Sequence, residues 1–90
     1  MQKALVSVMG VDRPGIIAKV STSLFEQNIN ILEISQTILG GYFTMMMMVD
    51  ISNAAHGFSD IAAALTQAGE AMGVVVQIQR AELFDAMHRV

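Results

Sequence analysis

The chain has 90 residues, a formal net charge of −3, 53% hydrophobic and 14% charged residues, and no cysteine. That length predicts one domain without a separate catalytic or output module, five scattered Lys/Arg residues leave no basic stripe for nucleic acid, and the missing thiols exclude disulfides, a thiolate nucleophile and thiolate metal sites. Met1-Gln2-Lys3-Ala4 lacks the layout of a signal peptide and no apolar run approaches the ~18–20 residues of a membrane span, so the expectation is a cytoplasmic protein with no membrane partner.

Leu5, Val6, Val8 and Met9 form a β-type run that ends at Gly10, after which the period changes. Ile16, Ile17, Val20 and Leu24 recur at helical spacing, while Lys19, Thr22, Ser23 and Glu26 fall on other faces, predicting a helix that ends near Asn28. Pro14 suits the first helical position, which makes Arg13 the expected cap. From Ile29 the pattern alternates, with Leu32, Ile34 and Ile38 on one side and Glu33, Ser35 and Thr37 on the other, as in a half-buried strand. Gly40-Gly41 signals a hairpin, and Tyr42 to Ile51 supplies the returning strand. Ser52 to Gly57 is a polar loop before a second amphipathic helix marked by Phe58, Ile61, Ala62, Leu65, Ala68 and Met72 and stopped at Gly73. Val74, Val76 and Ile78 alternate with Val75, Gln77 and Gln79 as a last strand, and Ala81 to Val90 reads as a short helical tail with Leu83, Phe84 and Met87 apolar.

This order, βαββαβ plus a tail, predicts an α+β ferredoxin-like sandwich: a four-stranded antiparallel sheet with two helices on one face. The other face is then bare within one chain. Met45, Met46, Met47, Met48 and Val49 are apolar on both sides of their strand, which predicts a cover on the second face, either a homodimer partner or the C-terminal tail. A small domain buries only about 60–65% of its unfolded surface, so its apolar surplus points the same way.

Candidate chemistry converges on "GVDRPGII", residues 10 to 17, where a strand runs through a tight loop into a helix. A helix N-terminus offers unpaired N–H groups and positive potential, and Gly10 and Gly15 are small enough to let a ligand approach. Asp12 adds an acceptor, so a carboxylate and an ammonium could both be held, as on a free α-amino acid. Asn30 starts the second strand, parallel to the first, and is expected at the same edge of the sheet. The plainer alternative is that Asp12 and Arg13 cap and solvate a helix while Asn28 and Asn30 make a turn.

Other chemistries have weaker grounds. Thioethers at Met45 to Met48 could suit copper, yet no His or Cys lies nearby and core packing explains them better. His56 and His88 have no partner at metal-ligand spacing, so neither metal nor cofactor is expected. A phosphatase-like reading of Arg13 with a nearby Asn is opposed by Asp12 in the same loop and by the lack of a placed nucleophile. RNA binding needs exposed sheet aromatics, and the strands offer few beyond Tyr42 and Phe43.

"GVDRPGIIAKVS" followed by "NINILEISQ" resembles the signature of ACT domains, small ligand-sensing modules of amino-acid metabolism. "QTILGGYFTMMMMVD" and "LFDAMHRV" extend the likeness to stand-alone single-ACT-domain proteins of bacteria and archaea. The resemblance implies one ACT domain over residues 1–90, no enzymatic activity, side-by-side dimers that join two sheets, and effector binding between subunits. The positions matching ligand contacts are Gly10, Asp12, Gly15, Ile16, Asn30 and Ile31, with Arg13 a further candidate in the same loop. Asp12 stands where many amino-acid-binding members have Asn. The function expected is therefore a regulatory domain that senses an amino acid or similar metabolite at a homodimer interface and acts on a target protein; the alternatives are a dimerisation module without a ligand and a phosphatase-like enzyme. Two or three charge-assisted hydrogen bonds of about 1.5–3 kcal/mol each, less the cost of immobilising the ligand, correspond to a roughly millimolar to micromolar Kd.

Overall fold

Each stretch of period-two or helical apolar spacing becomes one element in the computed structural model, which describes residues 1–82. The order is β1 (Lys3–Val11), α1 (Ile16–Glu26), β2 (Asn30–Leu39), β3 (Tyr42–Asp50), α2 (Phe58–Met72) and β4 (Val74–Arg80). The strands form one sheet in the order β2-β3-β1-β4, with every neighbouring pair antiparallel. This is the expected ferredoxin-like α+β sandwich. Ala81 and Glu82 continue as helical backbone; Leu83, Phe84 and Met87 of the expected tail lie outside the described residues.

Alternation decides which side chains meet the helices. Ala4, Val6 and Val8 of β1 lie opposite Val49, Met47 and Met45 of β3, and all six are buried with Val74 and Val76 of β4. Ile16, Val20 and Leu24 of α1 and Ile61 and Leu65 of α2 close the core from one side. Met46, between two buried methionines, lies on the open face and stays 45% exposed.

The turns use backbone states that glycine favours. Gly40 and Gly41 have φ of 60° and 85°, the two positive values of a type I′ hairpin turn. Gly73 ends α2 at φ 71°, as its position after the last apolar repeat predicts. α1 departs from expectation: it starts at Ile16, with Gly15 rather than Arg13 at the cap. Gly15 has φ 93° and ψ −3°, the third position of a type II turn with Pro14 at the second, so the chain turns once more before the helix begins.

β2 is also corrected. Beyond Ile31 it is exposed on both faces rather than half-buried, because the buried core under the helices is built on the other three strands. A bulge between Ile31 and Glu33 makes Leu32 an extra residue, so Ile31, Ile34 and Ile38, not Leu32, share the helix side opposite Val49, Met47 and Phe43. Ile34 and Ile38 remain uncovered there.

At the far end of the sheet Asp50 Oδ1 accepts hydrogen bonds from the Ser52 hydroxyl at 2.6 Å and the Ser52 N–H at 2.9 Å. The hydroxyl first and the amide second hold its carboxyl below the usual carboxylate range. A depressed folded pKa means stability that is present above the unfolded pKa and is lost as pH falls through the folded one. An NMR titration should place the Asp50 midpoint below that of an unfolded Asp, and Ser52→Ala should raise it; an unchanged midpoint in that variant would remove the hydroxyl as the cause.

Candidate ligand site at the start of helix α1

The loop from Gly10 to Ile16 is anchored at both flanks. The Asp12 N–H donates to Gly41 O at 3.0 Å, which ties the loop to the β2–β3 hairpin. The Arg13 guanidinium donates through Nη1 to Met72 O at 3.2 Å, so this side chain caps the C-terminus of α2 and neutralises its negative end. Arg13 thus caps a helix, but not the one it precedes.

The start of α1 itself is bare. No side chain caps it and no acidic residue lies in its first turn. The first helical bond is Lys19 N–H to Gly15 O at 2.9 Å, so the N–H groups of Ile16, Ile17 and Ala18 ahead of it have no partner inside the helix. The Ile16 side chain is buried in the core, so what it offers a ligand is its amide. Asp12 is exposed beside these donors.

The two glycines have different reasons. A Cβ on Gly15 would meet only Met72 Cε at 3.5 Å; the positive φ is what requires glycine there. A Cβ on Gly10 would lie 2.7 Å from Val74 Cγ1 and 3.1 Å from Val74 Cα. That space is filled by β4, a packing reason for glycine at this position.

Asn30 and Ile31 lie at the other end of the sheet. Asn30 is opposite Asp50, which is opposite Lys3, whereas Gly10 is opposite Phe43. The seven residue steps from Phe43 to Asp50 span about 23 Å of strand. Parallel strands begin at the same end, so the start of β2 lies beside the start of β1 and not beside the loop that follows it. Asn30 instead lines a separate cleft of about 220 Å³ with Phe25, Asn28, Ile29, Asp50 and Asn53. One chain brings together Gly10, Asp12, Arg13, Gly15 and Ile16 and leaves Asn30 and Ile31 apart.

A feature that the motif reading passed over lies on the open face behind Gly10: a hollow of about 400 Å³ lined by Ser7, Met9, Gly10, Tyr42, Val75 and Gln77. Its signal in the sequence was the apolar Met9 and Val75 at positions that alternation assigns to the outside. Among the described residues no group of His, Cys, Asp or Glu could hold a metal ion, and no helix is long and apolar enough to cross a membrane.

Residues 2–79 match the family model of the ACT domain, so the sandwich and its strand-loop-helix junction are those of a regulatory domain and not of an enzyme. A UPF0237 protein from Listeria innocua is 50% identical over 98% of this chain and 99% of its own. An ACT domain protein from Streptococcus pneumoniae superposes with a TM-score of 0.82 at 38% identity, covering 92% of this chain and 93% of that one. The regulatory subunit of aspartate kinase from Thermus thermophilus, in ligand-free form, superposes at 0.67 with 25% identity over 87% of this chain and 51% of its own. The chain belongs to the UPF0237 family of small ACT-domain proteins.

Proposed function

We propose that the chain is a regulatory domain that binds a free α-amino acid at a site completed by a second copy. The bare N-terminus of α1 carries this reading: the amides of Ile16, Ile17 and Ala18 would receive the carboxylate, and Asp12 the ammonium. The partner supplies the rest. β2 is an unpaired edge with Ile34 and Ile38 uncovered on the helix side, a surface suited to antiparallel pairing with its own copy. A two-fold axis through the middle of β2 sets its start against its end, so the partner subunit's Asn30 would come beside Leu39 and the hairpin that Asp12 already touches. The separation of Asn30 from the loop within one chain is what such a shared site requires. The regulatory subunit of aspartate kinase offers a likeness in the same direction. Occupancy would then be coupled to the geometry of the pair, and through it to a target protein.

Calorimetry and thermal denaturation against the common amino acids test this. One of them should bind with a roughly millimolar to micromolar Kd and, at a hundred times that concentration, stabilise the fold by about 2.7 kcal/mol. Asp12→Ala and Asn30→Ala should each abolish the shift. A mixture of the two variants should recover about a quarter of the sites, since half of the random pairs are mixed and each of those holds one intact site. The absence of heat for every amino acid at millimolar concentration would leave a dimerisation module.

A further inference from the structure

We propose that the half of the open sheet face nearest the Gly10 loop is an interface with a second copy of this chain, packed face to face. Alternation puts Met9 and Val11 of β1, Tyr42 and Met46 of β3, Val75 of β4 and Leu39 of β2 on this half, all of them exposed. Met9, Tyr42 and Val75 are each about 60% exposed, an unusual degree for such side chains gathered on one sheet face.

Three observations select a copy of the chain as the occupant. The first is charge. Among the described residues the charged strand side chains of the open face, Lys3, Glu33 and Asp50, all sit at its far end, so a symmetric contact centred on Met9 brings none of them together. The second is clustering. Six large apolar side chains, from Met46 at 45% to Leu39 at 77% exposed, gather on one half of one face, a concentration that marks an interaction site rather than single scattered residues. The third is shape. The hollow between Met9, Tyr42 and Val75 lies beside the unbranched side chain of Met46, so one patch carries both a recess and an adaptable knob to fill it. A two-fold contact needs both on the same surface.

This face is distinct from the β2 edge, and the inference does not rest on ligand binding. Where both contacts form, edge-paired dimers stack into a tetramer; where only this one forms, the chain is a dimer.

Light scattering after size exclusion, on the full chain, tests it with Val75→Lys, Met9→Lys and, for the edge, Ile38→Lys. Circular dichroism confirms folding, which these exposed positions should permit. Val75→Lys and Met9→Lys should each halve the mass of the native assembly and raise its dissociation constant at least about a hundredfold. In Ile38→Lys any remaining dimer should still fall apart on adding Val75→Lys. A native chain that is monomeric at high concentration, or an unchanged mass in both face variants, would overturn the proposal. Deleting residues 83–90 separates out the other occupant: if the deletion leaves the mass unchanged yet opens Met9 and Met46 to peroxide, the tail covers this face and the proposal fails.

Discussion

Met47→Ala should unfold in far less urea than the native chain, while Met46→Ala, one residue away, should leave the midpoint almost where it was. Met47 is fully buried opposite Val6 on the helix side of the sheet; Met46 faces away and is 45% exposed. Truncating a buried methionine removes its transfer free energy and leaves a cavity, a loss of about 2–5 kcal/mol, whereas an exposed site away from such packing changes stability by about 0.5 kcal/mol or less. With a urea slope near 2 kcal/mol per molar, a loss of about 3 kcal/mol moves the midpoint by about 1.5 M. The comparison belongs in a Val75→Lys background at low protein concentration, so that self-association through Met46 does not enter. Equal losses at the two positions would mean that the open face is as tightly packed as the core.

That pair also shows how far a pattern can be followed without coordinates. Gly40-Gly41, Gly73 and the spacing of Ile61 and Leu65 announce their elements because each follows from local chemistry: positive φ at the turns, one buried stripe on the helix. What depends on neighbours is not written locally. β2 alternates like a half-buried strand, yet the helices leave it largely uncovered, and which strands they cover is a property of the whole sheet. The single extra residue at Leu32 shifts the register without any Gly or Pro to mark it. The loop residues Asp12, Gly15 and Ile16 could be grouped as one candidate site because they are contiguous. Asn30 could not be placed relative to them, because the ends at which two strands begin follow from topology and the residue beside it across an edge would belong to another molecule. Gly10 also makes room for Val74, a packing role that only the approach of β4 reveals.

The same approach makes Gly69→Ala a test in which helix propensity and packing oppose each other. Gly69 sits inside α2, where exchange for alanine normally gains about 1 kcal/mol. Here an added Cβ would lie 2.7 Å from both Val74 O and Val76 Cγ2. The carbonyl is backbone and the valine is β-branched with one strongly preferred rotamer, so neither yields without moving β4. Overpacking of this kind costs about 1–3 kcal/mol. Once the propensity gain is offset, the substitution should lower stability by up to about 2 kcal/mol, seen as a fall of up to roughly 15 °C in the thermal midpoint of a domain this size. The effect should reach the candidate site, since Val74 is held between Gly69 of α2 and Gly10 of β1, and the carbonyl that Arg13 caps is only two residues before it. Moving β4 away from α2 would press Val74 toward Gly10 and shift the end of α2 against Arg13, so amino-acid affinity should fall even at temperatures where the variant is fully folded. A Gly69→Ala domain more stable than the native chain by the full propensity gain of about 1 kcal/mol would show that β4 is not held at this distance.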